Sequence, residues 1–510
     1  MRKLLSIRYI ILFSLALASS YARAGDTIVY KASLTATGAS GKFAPYFLAS
    51  NRHGKITQAW NGVAELNMHK ALNVGSRFSY GYGVGVEAGY SSSVPYERFD
   101  VQSSTWHSVD RHPSRVMLGS LYGEVKYRSI EACVGMKETG SAMLSDRLSS
   151  GDLVHSANAR PVPGVKVGFH DFQDVPFTNG WLQIDGELFY GRFADDGWWR
   201  KYYNYYNYHI ADGVWLVYRR AYFRSKASKP LRVTVGAQCA TQFGGSTTTY
   251  AGGLVQSVQH RGTSFRDFFK AFLPISNGSE DFRIGNTLGS WDMRADYALR
   301  GIDIGAYFQW PWEDGSGMAK RNGFDGLWGL EIRLKSFKPV SGLVIEYLDM
   351  TNQSGPVHWA PDYVPGTTLT SPATGADDYY NNVLYNSYAN YGMVMGTPMV
   401  MSPIYNVDGY PAVAFNRLRG IHLGIEGRIT PQMEYRALFN HRKAWGSGYI
   451  PLLNPVSSTS VMVEAALRSI FGSGLNLKIS LAGDCGKMPG DTFGTMVTLS
   501  YNGSLTQFRL

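Results

Sequence analysis

Cysteine is scarce, three in 510 residues, and that excludes the disulfide scaffolds on which small exported domains rely. Cys133 and Cys239 fall in strand-like stretches on opposite parities and Cys485 stands alone, so all three read as structural residues rather than as a disulfide or a reactive thiol. No CxxC pair and no His-rich cluster is present, and no metal or other cofactor is expected. GxSxG and HExxH are missing as well. His53, His170, His209, His260, His358 and His441 recur at no fixed spacing, and "NHRKAWGSG" at 440–448 lacks the His-x-Ser pairing that a lipid-modifying barrel enzyme would need. The chain is therefore not expected to be an enzyme. Long apolar runs are also lacking: beyond residue 24 none reaches the roughly 18–20 residues of a spanning helix. Mean hydropathy is slightly negative, which excludes a helical membrane protein. It does not exclude a barrel, whose strands need only about 9–11 residues and turn half their side chains to a polar lumen.

What is present begins with "MRKLLSIRYIILFSLALASSYARAG". Arg2, Lys3 and Arg8 precede an apolar core from Ile10 to Ala18, then Ala22 and Ala24, which reads as a secretory signal peptide over 1–24. Glycine and aromatics are abundant, with 57 Gly, 33 Tyr, 25 Phe and 12 Trp. The formal charge of +10 points to an anionic partner, such as lipopolysaccharide phosphate or acidic polysaccharide, and export argues against nucleic acid. In "FSYGYGVGVEAGY" at 78–90 every second residue is apolar or aromatic, and the residues between are Ser79, glycines and Glu87. Such a strand has one greasy face and one face of small residues, where something bulky must come close.

Period-two alternation predicts about 18 strands, at 44–51, 59–69, 77–91, 114–128, 129–138, 165–172, 181–193, 213–225, 230–240, 283–299, 301–311, 326–336, 341–351, 415–429, 432–443, 459–470, 475–484 and 493–502. Connections after even-numbered strands are short, as in "KASKP" and "TPQ". Most of those after odd-numbered strands are long, as in 92–113, 241–282 and 352–414. Tight periplasmic turns and long outer loops are the asymmetry of an outer-membrane barrel. The expected architecture is an all-β, transmembrane antiparallel β-barrel of about 18 strands over 44–510, behind a short periplasmic segment, 25–43. One face per strand is free of charge along its middle, as in Ile302, Ile304, Ala306, Phe308 and Trp310, because Arg or Lys at the bilayer midplane costs about 2–4 kcal/mol. The opposite parity sends Glu87, Glu331, Glu346 and Glu464 inward with Arg294, Arg333, Arg436 and Lys478. Near-matched acids and bases predict cross-strand ion pairs and a lumen plugged by inward-folded loops.

Two loops invite a ligand. "GWWRKYYNYYNYH" at 197–209 offers Trp198, Trp199, Tyr202 and Tyr203 for stacking on sugar rings, with Arg200 and Lys201 for uronate or phosphate. The loop 352–414 adds Trp359, Tyr379 and Tyr380. "SFRDFFKAFLP" at 264–274 predicts a short amphipathic helix packed over the barrel mouth.

The stretches "FAPYFLASNRHGKIT" at 43–57, "GPVHW" at 355–359, "GTPMVMSPIYN" at 396–406 and "NRLRGIHLGIEGRI" at 416–429 resemble the capsule assembly Wzi family in its Bacteroidetes-type form. That resemblance implies a plugged outer-membrane barrel of about 18 strands, acting as a surface lectin that helps attach capsular or exopolysaccharide to the cell. The partners expected are that polysaccharide and outer-membrane lipid and lipopolysaccharide, with the protein a monomer. A porin or specific channel for small anionic solutes is the alternative. Two departures stand out: the helical periplasmic segment of proteobacterial members has no counterpart in 25–43, and the chain ends "LTQFRL" rather than on a terminal aromatic.

Overall fold

The computed structural model describes residues 27–506 except 113–115, 196, 274–284, 314, 355–376, 473 and 489; the signal segment lies outside the described residues. Eighteen antiparallel strands close into one barrel. In chain order they are Thr27–Ala39, Asn61–Lys70, Phe78–Ser91, Val116–Tyr127, Ile130–Met136, Gly164–Phe169 (resumed at Gln173–Asp174), Leu182–Arg192, Trp215–Ser225, Leu231–Phe243, Asn286–Leu299, Ile302–Trp312, Gly326–Leu334, Gly342–Asp349, Leu418–Arg428, Met433–Gly446, Pro451–Leu467, Leu475–Gly486 and Thr492–Thr506. Each pairs with its sequence neighbours. The first and last strands close the ring in a register running from Thr27↔Thr506 to Ala39↔Gly494.

The start of the barrel corrects the expectation. Thr27–Ala39 is the first strand, so 25–43 is not a segment ahead of the barrel, and 44–51 is not a strand. Ile28, Tyr30, Ala32, Leu34 and Ala36 alternate with Lys31, Ser33, Thr35 and Thr37, a pattern blurred by small side chains. In 44–51, Phe47, Leu48 and Ala49 are apolar in succession, which gives no polar face. Tyr46–Ala49 forms one helical turn with all four residues buried, and the Tyr46 N–H donates to Asp484 Oδ2 at 2.8 Å.

Outward-facing side chains form an apolar belt in which Leu34, Leu66, Val134, Val463, Leu481 and Leu499 are exposed. Hydrocarbon, not water, satisfies such a surface. Inside Phe78–Ser91 the bulky neighbours are found: a Cβ on Gly83 would lie 2.6 Å from the Tyr122 ring, and one on Gly85 would lie 2.2 Å from Asn67 Oδ1.

Inward loops fill the lumen. Residues 137–163 cross it, held by buried carboxylates: Glu346 accepts from Ser149 Oγ and the Ser150 N–H, both at 2.7 Å, and Asp152 accepts from Gln238 and Gln309, both at 2.8 Å. The loop 40–60 and the described part of 350–417 pack on it, through the His53 N–H to Ala157 O at 2.7 Å, Asn158 Nδ2 to Val394 O at 2.8 Å and Tyr380 OH to Leu153 O at 2.6 Å. Expected cross-strand ion pairs are present, among them Arg294 with Glu331 at 2.8 Å and Arg436 with Glu464 at 3.1 Å. Glu65, Glu87 and Glu138 lie close enough to hold a cation. Lys55 already supplies one, with Nζ at 2.6, 3.4 and 2.8 Å from them.

The helix Phe265–Phe272 lies on the outer wall, not over the mouth. Its Phe268, Ala271 and Phe272 cover Val217 and Phe243, residues that would otherwise meet lipid. Arg219, on the same outward parity, lies 5.7 Å from the Phe272 ring.

Candidate functional site

At the long-loop end, a hairpin pairs Val94–Asp100 with Thr105–Arg111. Its alternation splits it into two faces. Val94 and Tyr96 are buried and Tyr96 OH donates to Ile404 O, while Phe99 and Trp106 rise on the other side. Edge hydrogen bonds lock it to neighbouring loops: Glu97 N–H to Val407 O at 2.8 Å, and Phe99 N–H to Asn204 O at 2.7 Å.

These bonds bring three rings together. Phe99, Trp106 and Tyr206 form a closed triangle with centroids 5.3, 4.9 and 5.2 Å apart, and the Trp106 side is 48% exposed. Arg98 stacks over Tyr205 at 4.6 Å, and Tyr205 OH donates to Arg200 O at 2.8 Å. Arg200 Nε is 2.6 Å from Asp212 Oδ2, which holds the guanidinium above its ordinary pKa. Burial pushes the Tyr205 phenol up. A rigid aromatic platform edged by guanidinium groups can stack on the apolar faces of sugar rings and pair with their acidic substituents.

Beyond Val407 a cavity of 350 Å³ opens between loops, lined by Phe43, Tyr405, Lys42, Lys487, Asp491 and Thr492. Phe43 and Tyr405 meet edge to face at 5.0 Å. Rings, two ammonium groups, a carboxylate and a hydroxyl converge there, the donor set that a polar, ring-shaped ligand requires.

The residues singled out by sequence divide. Trp198, Trp199, Tyr203, Tyr379 and Tyr380 are buried in the core of the packed loops. Trp198 meets Trp199 edge to face at 4.9 Å, and Tyr379 OH donates to Asp325 at 3.0 Å. Tyr202 is half-buried beneath the hairpin, 5.4 Å from Tyr96. Arg200 and Lys201 are exposed, beside the platform. Trp359 lies outside the described residues. Sequence reasoning missed Phe99, Trp106 and Arg98 because 92–113 read as one long connection; the alternation in "VPYERFD" and "TWHSVDR" was the available signal. His260 Nδ1 and Ser246 Oγ are 2.7 Å apart on an exposed hairpin, with no carboxylate among the described residues orienting the ring.

No family model and no curated protein matches the chain. Among solved structures, Wzi of Escherichia coli, described as an outer-membrane protein involved in group 1 capsule assembly and a carbohydrate-binding β-barrel, superposes with a TM-score of 0.54 at 12% identity, over 95% of this chain and 85% of that one. The fold is that of an outer-membrane barrel. Two Pseudomonas aeruginosa structures also align: OccK5 (OpdH), with a TM-score of 0.46 at 10% identity over 94% of this chain and 98% of that one, and OprD, with 0.43 at 10% over 96% and 98%.

Proposed function

We propose that this chain is a non-enzymatic, surface-exposed glycan-binding barrel that holds capsular or exopolysaccharide to the outer membrane as a monomer. The observation carrying the reading is the exposed Phe99–Trp106–Tyr206 triangle, fixed by backbone bonds above a lumen filled with loops. A fixed aromatic surface binds without paying to order its side chains, and a filled lumen leaves the outer face as the place to act. The carbohydrate binding described for the E. coli barrel supports the same reading. Among the described residues no acid orients His260 of the Ser246–His260 pair, which gives a hydrolytic role no support.

Binding of purified protein to acidic exopolysaccharide, measured by calorimetry, tests this. Phe99→Ala with Trp106→Ala should weaken binding about tenfold or more, since aromatic contacts are worth about 0.5–1.5 kcal/mol each beyond area burial. Unchanged affinity removes the platform from the reading. Cells lacking the protein should still make polymer but release it to the medium; polymer that stays cell-bound would count against the attachment role.

A further inference from the structure

Beneath the inward loops, at the short-turn end, the lumen holds a cavity of 180 Å³. Three separate parts of the chain wall it: Arg52 from the loop 40–60, Arg147 from the loop 137–163, and Arg436, Glu464 and Lys478 from barrel strands. Each of these strand residues sits close to the short-turn end of its strand. Arg147 is half exposed and Lys478 one-third exposed, so the cavity opens to that mouth, while Tyr46, Phe47 and Leu438 close it toward the core.

Its charges do not balance. Arg147 has its own partner, Glu426, at 2.6 Å. Glu464, however, faces three cations: Arg436 at 3.1 Å, Arg52 at 3.5 Å and Lys478 at 3.7 Å. Asp146 on the wall accepts from the Ser141 N–H at 3.1 Å, and with it counted the cations still outnumber the carboxylates. The Nε donors of both Arg52 and Arg436 are buried with no acceptor among the described residues. Excess positive charge in a partly desolvated lumen is unfavourable until an anion neutralises it, and paired guanidinium forks match the geometry of phosphate and carboxylate oxygens.

We propose that this cavity binds an oxyanion, a phosphate or carboxylate group entering from the short-turn mouth. The bound group bridges the loop 40–60 to the barrel wall, because Arg52 and the strand cations share it. The site is separated from the outer platform by the packed loops, and it does not depend on what that platform binds.

The test uses the full chain in detergent at constant ionic strength, titrated by calorimetry with inorganic phosphate, glucuronate and glucose. At least one anion should bind saturably and glucose should not; the tighter anion identifies the source as phosphate or carboxylate. Lys478→Gln, at a partly exposed position, should weaken anion binding at least tenfold with the thermal transition retained. Arg436→Gln should abolish it. The Trp106→Ala variant should bind the anion as the parent does. Absence of saturable binding of either anion overturns the proposal, as does unchanged affinity in Lys478→Gln or loss of anion binding in Trp106→Ala.

Discussion

At the residue scale, charge and burial make opposite demands on the two sides of the wall. Leu499 points outward in the middle of the last strand and Thr498 inward, bonded to Thr35 at 3.0 Å. Leu499→Arg should cost about 2–4 kcal/mol in urea unfolding from liposomes, the toll for a cation at the midplane. Thr498→Ser keeps the hydroxyl and should change little; equal costs would mean the outer face does not meet hydrocarbon. Asp378, in the long outer loop, shows the cost of burial differently. Desolvation pushes its carboxyl up to about 6, although Asn416 and Asn381 donate to it. A raised folded pKa means that the folded state holds the proton more tightly than the unfolded chain. Stability is therefore highest below the unfolded pKa and falls as pH rises from about 4 to about 6, by at most about 3 kcal/mol. Asp378→Asn, always neutral, should flatten that fall in melting curves between pH 4 and pH 8. A pH profile identical to the parent's would show that the carboxyl is not buried.

At the element scale, the helix Phe265–Phe272 carries two apolar faces. Ser264 and Asp267 cap it reciprocally, and Phe268 meets Tyr190 of the wall edge to face at 4.9 Å. Phe265 and Phe269 point away from the wall and are 75% and 47% exposed, beside Arg266 and Lys270. Lying against the lipid-facing wall at its long-loop end, such a helix belongs in the membrane interface, rings toward acyl chains and cations toward headgroups. A Trp placed at 265 should lose fluorescence in vesicles of brominated lipid relative to the parent protein; no added quenching would place the helix in water. This helix also marks how far sequence reaches. Its amphipathic period was legible, but not which surface it covers, because Val217 fell in the expected strand 213–225 and Phe243 in the connection 241–282, with nothing in the sequence to join the two under one helix. Strands with strong alternation, such as Ile302–Trp312 and Gly326–Leu334, were legible for the same reason that they are stable: lipid and lumen impose opposite chemistry on alternate residues. Thr27–Ala39 was missed because Ala and Thr weaken that contrast. The platform was missed because Phe99 and Trp106 come from one loop and Tyr206 from another, distant in sequence, and the contacts that join them, such as the Phe99 N–H to Asn204 O bond and Arg98 over Tyr205, form in the folded chain.

At the scale of the whole molecule, the decision between a binding surface and a conduit rests on the inward loops. Ser149, Ser150 and Tyr307 all donate to Glu346, and Gln238 and Gln309 reach Asp152 from the strands Leu231–Phe243 and Ile302–Trp312. The crossing loop is thus held on several sides by two buried carboxylates. Removing either acceptor strands donors that are buried, at about 1–3 kcal/mol for each group left unsatisfied, so the loop cannot leave without breaking several such bonds at once. The parent protein in planar bilayers should therefore show no steady large conductance, and Asp152→Ala combined with Glu346→Ala should show intermittent openings as the loop detaches. A large, steady current from the parent would mean that the loops do not stay in the lumen. That outcome would favour a channel for small anions, leave the outer platform without its functional argument, and turn the cationic cavity below into part of a conduction path.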